Sequence, residues 1–419
     1  MERDERLAIE GGRAVRPDFL VFGAPLIGEA EIDEVVDTLR SGWIGFGPKC
    51  LRFEEDFAAY VRAPHALSVN SATAALHLAL IAAGVGQGDE VVTTPLTFCA
   101  TANVITHVGA KPVFVDVEQD TQNLDVSRIE SAITPRTKAI LPVHMCGWPC
   151  DMDAIAAIAG RHGLAVIEDA AHATEAWYRG RKVGSLSAFT AFSFYATKNM
   201  TTAEGGMLTV ADDAAHARLR ALRLHGLDKD AWKRYSPGEF LPYETLEPGF
   251  KYNMTDLQAS LGLHQLARLE GNLERRREIW RTYDEAFAPL PGLRTPGLRE
   301  AHGTRHARHL YTLRLEPGEL AITRTEFARA LGAENIGSGI HFVPVHLHAW
   351  YARELGTRRG DFPVAEAIGD STISLPLSPA MNDEDVQDVI AAVRKIVNRH
   401  LRHGDRVAVD WDDDALEAA

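Results

Sequence analysis

The stretch Phe192 to Leu208, FSFYATKNMTTAEGGML, places Lys198 among small, aromatic and hydroxylated residues with no acid beside it in sequence. A lysine on a surface needs no explanation, but this one follows the apolar run AFTAFSFYAT and precedes TTAEGGM, a setting that desolvates the amine. Desolvation lowers a lysine pKa and leaves the amine nucleophilic, as Schiff-base chemistry requires. Three other places carry groups that such chemistry could use. Asp169, in IEDAAHA, ends an apolar run and has His172 three residues on. A carboxylate there is either a helix cap or an active-site acid with a cationic partner. Ser71 and Thr73, in NSATAAL, open a helix whose free N–H groups and positive dipole end can hold a phosphate, although Ser and Thr also serve as plain N-caps. Phe98, in PLTFCATAN, offers its ring either to a crevice or to the core.

These residues need a scaffold that brings them together, and the pattern from about Ala66 to Val210 supplies one. Short β-branched runs alternate there with amphipathic stretches, which predicts βα units and a mostly parallel sheet. The candidate strands are Ala66 to Val69, Glu90 to Thr93, Pro112 to Val115, Ala139 to Val143, Ala165 to Glu168, Phe189 to Phe194 and Met207 to Val210. TAALHLALIAAG and MDAIAAIAGRHG read as helices closed by glycine. In open α/β sheets ligands bind at the carboxyl ends of strands, and each chemistry-bearing residue follows one of these runs. A long amphipathic stretch from Thr255 to about Phe287 leads out of the sheet domain. Beyond Pro291, the strand candidates YTLRL and GIHFVPV and a last helix from Asp383 to about His400 predict a smaller α+β domain. The expected organisation is an N-terminal arm over 1–24, a large domain over 25–260, a small C-terminal domain over 261–400 and a disordered acidic tail over 401–419.

Composition limits the partners. The 419 residues are 46% hydrophobic and 24% charged, an ordinary globular balance, and no apolar run approaches a membrane span. The first residues, MERDERLAIEGG, lack the apolar core of a signal peptide, so a cytoplasmic enzyme is expected. A formal charge of −14, from 44 basic and 58 acidic residues, argues against a nucleic-acid surface. An anionic substrate must then be met by a local cluster of donors. The four cysteines, Cys50, Cys99, Cys146 and Cys150, make a disulfide framework improbable in a chain this long. Cys146 and Cys150 have the spacing of half a zinc site, but no second pair completes it, and no metal is expected.

Together the four places meet the needs of one cofactor, pyridoxal 5'-phosphate. Its aldehyde needs a lysine, its pyridine nitrogen a carboxylate, its phosphate a helix N-terminus and its ring a stacking partner. The motifs SGWIGFGPKCLRFEEDFAAY, NSATAALHLAL, GDEVVTTPLTFCATAN, KPVFVDV, VIEDAAHATEA, FSFYATKNMTTAEGGM, PGFKYNMTDLQAS, GIHFVPVH and SLPLSP run in order along the chain. In these the sequence resembles, from about Pro25 to Val397, the sugar aminotransferases of the DegT/DnrJ/EryC1/StrS group, which have the aspartate-aminotransferase fold (PLP fold type I). The resemblance implies that Lys198 forms the internal aldimine, Asp169 pairs with the pyridinium nitrogen, His172 lies near the ring hydroxyl and Phe98 stacks on the ring. It also implies that Ser193, Ser71, Thr73 and the backbone N–H of Ala74 hold the phosphate. A homodimer with shared sites is implied too, Asn253 of the FKYNMTD segment closing the phosphate site of the neighbouring subunit.

For Lys251, Glu204 and His341 the resemblance suggests substrate contacts, against the competing reading of a solvated charge or a satisfied polar group. TTAEGGM, the run LRLHGLDKDAWKRY and the Phe250 to Asp256 segment resemble relatives acting at C4 of a keto sugar. The implied reaction moves the amino group of L-glutamate, or glutamine, to a nucleotide-linked 4-keto-6-deoxyhexose. Ala203 stands where the group usually has glycine, and Thr174 and Glu175 where smaller residues are common; these departures bear on the sugar pocket. The competing readings are a C3 aminotransferase, a PLP-dependent sugar dehydratase and a non-enzymatic PLP-binding regulator. Lys198 speaks against the dehydratase, in which histidine commonly replaces the lysine.

Overall fold

The structure is a computed structural model that describes residues 6–228 and 243–402. Part of the run LRLHGLDKDAWKRY, and the acidic tail from position 403, lie outside the described residues. Strands β1 (His65–Val69), β2 (Glu90–Thr93), β3 (Lys111–Phe114), β4 (Thr137–Leu141) and β5 (Ala165–Asp169) come first, each close to its predicted run. A small hairpin of β6 (Trp177–Tyr178) and β7 (Arg181–Lys182) precedes β8 (Phe189–Ser193) and β9 (Gly206–Val210). Except for the hairpin, these form one seven-stranded sheet in the order β1-β9-β8-β5-β4-β2-β3. Its pairings are parallel except that β9 runs antiparallel to both β1 and β8. The sheet interior is fully apolar at Val91, Ala139, Leu141, Ile167 and Ala191, as a sheet covered on both faces requires.

Helices α1 (Glu29–Ser41) and α2 (Pro48–Val61) lead into the sheet. They are followed by α3 (Ala72–Ala82), α4 (Cys99–His107), the short α5 (Ile129–Ala132), α6 (Met152–His162) and α7 (Asp213–Leu222). Ser71 caps α3, and Gly163 ends α6 in the left-handed region at φ 64°. The predicted amphipathic stretch from Thr255 is two helices, α8 (Asp256–Ala267) and α9 (Leu269–Phe287). Thr255 and Gln258 cap α8 reciprocally, and the break falls at Arg268, whose guanidinium reaches back to the Leu26 carbonyl (2.6 Å) and to Glu31.

A second core gathers around a three-stranded sheet of β10 (Leu293–Arg294), β11 (Tyr311–Leu315) and β12 (Thr372–Leu375). Helices α10 (Arg324–Ala333), α11 (Ala349–Leu355), α12 (Pro363–Ser371) and α13 (Asp383–His400) belong to this half of the chain. Ile279, Tyr283 and Phe287 of α9 pack into the second core, as does Leu7 of the arm. The predicted strand YTLRL is β11, but GIHFVPV is not a strand. Only Gly339 bridges to Ser374, and the chain then turns into a 3-10 helix at Val345–Leu347. Pro344 has no N–H to continue a ladder.

Ala203 occupies the left-handed region at φ 65°, where a Cβ is crowded and glycine is not. Ala203→Gly is therefore expected to stabilise the fold by about 1 kcal/mol. Urea unfolding of the cofactor-free protein checks this; an unchanged or lower midpoint would show that the turn is not strained.

Candidate active site

Lys198 lies in the turn after β8, where its N–H donates to the Tyr195 carbonyl (2.9 Å). Its side chain is half-buried, and burial pushes the amine pKa down to about 8, against the opposing charge of Asp169 and the nearby Cys146. Asp169 is the last residue of β5 and is buried. Burial raises its pKa, although the Thr101 hydroxyl (2.8 Å to Oδ2), the Ala171 N–H (3.1 Å to Oδ1) and the charge of Lys198 all hold it down. Each group thus acts on the other, yet no ion pair joins them among the described residues, so a ligand can lie between.

The ring of buried His172 lies 4.4 Å from that of His309 and 6.0 Å from that of Phe342. Burial and the charge of Lys198 hold the imidazole pKa well below its usual value, so His172 is neutral at pH 7. Its Nδ1 is buried without a partner. His341 joins the cluster, stacked on Phe22, with Nδ1 2.7 Å from Ser374 Oγ and its pKa pushed down to about 4 by burial and Lys198. Phe98 is 59% exposed, its ring 6.1 Å from that of Phe342, which excludes the core reading of this residue.

The phosphate candidates sit at one end of the sheet. Val69, Gly206 and Ser193 face one another across β1, β9 and β8, so Ser193 ends beside the turn that opens α3. A Cβ on Gly206 would lie 2.6 Å from the Ala72 nitrogen, so only glycine lets the helix start come this close. Ser71 Oγ accepts from the Ala74 N–H (3.1 Å), as an N-cap does, while Ser193 Oγ accepts from the Tyr195 N–H (3.4 Å). Thr73 is half-buried in the first turn. In its own chain Asn253 pairs with Val69, gives its Nδ2 to the Met254 carbonyl (2.9 Å) and leaves Oδ1 buried without a partner. Glu204 and Lys251 are exposed. The Glu204 carbonyl accepts from Gln258 Nε2 (2.7 Å).

Glu175, noted in the sequence only as a departure, and Asn199, Arg276 and His309, which the sequence did not single out, hold this arrangement. Glu175, fully buried, forms an ion pair with Arg276 and accepts from Asn199 Nδ2 (2.6 Å). Asn199 also donates to the Ala307 carbonyl (3.0 Å), so its Oδ1 is left to accept from His309 Nδ1 (2.7 Å). Since Asn199 follows Lys198 directly, the network pins the lysine turn and packs His309 against His172. Glu175 was visible only as an unusual residue after AAHA; its carboxylate bonds Arg276 and Asn199, the residue after the lysine.

An orphaned imidazole nitrogen, a buried carboxylate at a strand end, a depressed lysine and a helix start closed in by glycine fit pyridoxal phosphate. Fold and site together define a pyridoxal-phosphate-dependent transaminase. The sequence matches the DegT/DnrJ/EryC1/StrS aminotransferase family over residues 25–394. It is 53% identical over 383 residues to the spore coat polysaccharide biosynthesis protein SpsC of Bacillus subtilis, covering 91% of this chain and 98% of SpsC. Among solved structures, it is similar to a Streptococcus pneumoniae protein assigned as a sugar aminotransferase, in its PMP form: 37% identity, TM-score 0.84, covering 91% and 99% of the two chains. DesI, solved in the presence of its TDP-sugar product, is 31% identical with a TM-score of 0.83, covering 94% and 96%. The chain belongs to the DegT/DnrJ/EryC1/StrS family and is a sugar aminotransferase.

Proposed function

We propose that the enzyme transfers the amino group of L-glutamate to C4 of a nucleotide-linked 4-keto-6-deoxy sugar, such as dTDP-4-keto-6-deoxyglucose, giving a 4-amino-4,6-dideoxy sugar nucleotide. The observation that carries transamination is the half-buried Lys198 amine, with a pKa of about 8, opposite the buried Asp169. A nucleotide-linked substrate is supported by the likeness to DesI with its TDP-sugar product, and a polysaccharide role by the likeness to SpsC. The C4 position rests on the TTAEGGM block after the lysine.

When bound, pyridoxal phosphate supplies an electrophilic aldehyde and an electron-withdrawing ring. Lys198 would hold the aldehyde through its amine, and that amine, when free, would hold and move a proton beside the reacting carbon. Asp169 would present a carboxylate to the ring nitrogen and keep it protonated. His172 would offer Nδ1 to the ring hydroxyl, and Phe98 would cover the ring. The start of α3 and Ser193 would receive the phosphate.

A panel of dTDP, UDP and GDP keto sugars, assayed with L-glutamate, tests the reading. Amination of a 3-keto sugar in preference to every 4-keto sugar would replace it with the C3 reaction.

Asn253 is proposed to serve the phosphate of the neighbouring subunit in a homodimer. Mixed dimers with Lys198→Ala on one chain and Asn253→Ala on the other then keep one nearly intact site. They should retain about half the wild-type rate per dimer, because both lesions fall in the same site. Loss at both sites would place Asn253 on its own chain's phosphate.

A further inference from the structure

A cavity opens beside Lys198, on the side where the N-terminal segment Gly23–Leu26, helix α9 and the segment Leu377–Pro379 meet. Two polar side chains of α9, Asn272 and Arg276, stand one helical turn apart and both line it. Arg276 is almost fully buried. Its Nε donates to the Arg308 carbonyl (3.1 Å) and its Nη2 meets Glu175, but Nη1 has no partner. Asn272 is only 7% exposed, and no hydrogen bond of its side-chain amide is found among the described residues. A buried, unsatisfied donor costs free energy, so Arg276 Nη1, in a residue that lines the cavity beside the unbonded Asn272 amide, marks a place for a ligand's acceptors.

We infer that Asn272 and Arg276 form a subsite for a carboxylate of the amino-acid donor, next to the amine that the donor displaces. The chemistry favours this ligand. Both side chains present N–H donors, a carboxylate is an acceptor-only group, and the cavity they line reaches Lys198. Glu175 already balances Arg276, so the guanidinium can stay buried when no donor is bound. The inference rests on the reading of an amino-acid donor and is independent of which sugar accepts the amine.

The test is calorimetric titration of the enzyme loaded with pyridoxal phosphate, not pyridoxamine phosphate, with 2-oxoglutarate, which carries the donor's carboxylates but has no amino group to transfer. Asn272→Ala is expected to weaken binding about tenfold, the worth of one hydrogen bond to a charged acceptor. Asn272→Asp should weaken it further, because it sets a like charge against the ligand. Arg276→Lys, which keeps the charge opposite Glu175 but loses the free N–H, should weaken it as well. Equal affinity in wild type and the Asn272 variants overturns the subsite, as does an aspartate variant that binds no more weakly than the alanine variant. Absence of binding to the wild type also overturns it, whatever the sugar panel shows. If no keto sugar is aminated while the variants follow the expected order, the acceptor reading fails and the subsite stands.

Discussion

Lys198→Ala is expected to lower turnover by at least about a thousandfold, because in the proposed mechanism one side chain both anchors the cofactor and moves the proton. The other residues proposed to hold the cofactor stay in place: Asp169, the start of α3 and Ser193 are positioned by β5, β1 and β8 rather than by the lysine. The variant should therefore still bind pyridoxamine phosphate, or pyridoxal phosphate together with the amino-sugar product, seen as a retained cofactor absorbance band after gel filtration. Near-normal transamination in this variant would remove Lys198 from the proton transfer. Borohydride reduction of the wild-type holoenzyme should place the label on Lys198, and a label on any other lysine would move the site.

The depressed pKa adds a pH prediction. Below about 8 the amine is an ammonium ion and cannot attack an aldehyde; above it the free base is present. The rate at which apo-enzyme takes up pyridoxal phosphate should rise with pH, with a midpoint near that value. A midpoint near the ordinary lysine pKa would show that the amine is solvated before the cofactor arrives.

What could be read from the sequence followed local pattern. β2 was read at its observed bounds, Ser193 and Lys198 were placed in and after β8 as observed, and Asp169, expected just after β5, is its last residue, because β-branched runs and the residues that end them are local signals. The break at Arg268 was not legible, since apolar spacing continues through it and its causes, the Leu26 carbonyl and Glu31, lie more than two hundred residues away. GIHFVPV misled because it has strand composition, whereas its His341 and Phe342 sit in the aromatic cluster of the site. Glu175, Asn199, Arg276 and His309 come from four separate segments, and no spacing rule joins them. Their relation is tertiary, and only the buried hydrogen-bond pattern reveals it.

Asp169→Asn should separate function from stability in opposite directions. Activity should fall at least about a hundredfold, because a neutral amide cannot hold the ring nitrogen protonated in a site where charge is poorly solvated. The fold should gain. Asp169 has a folded-state pKa raised by burial, so the native state binds its proton more tightly than the unfolded chain does. Above the folded pKa the ionised carboxylate is a cost to the fold, and below the unfolded pKa that cost has vanished. Asparagine removes it without leaving a bond unmade. Its Oδ1 can still accept from the Ala171 N–H, and its Nδ2 can donate to Thr101 Oγ1, whose own hydrogen turns to Thr97 Oγ1, 2.8 Å away. The cofactor-free Asp169→Asn protein should thus be more stable than wild type at neutral pH, with a higher urea midpoint. The difference should shrink as the pH falls through the raised carboxyl pKa. Urea midpoints of the two apo-proteins across this range decide the matter. A variant less stable than wild type at neutral pH would mean that the buried charge is already compensated without cofactor, and Asp169 would then be a structural carboxylate rather than one held in wait for a cation.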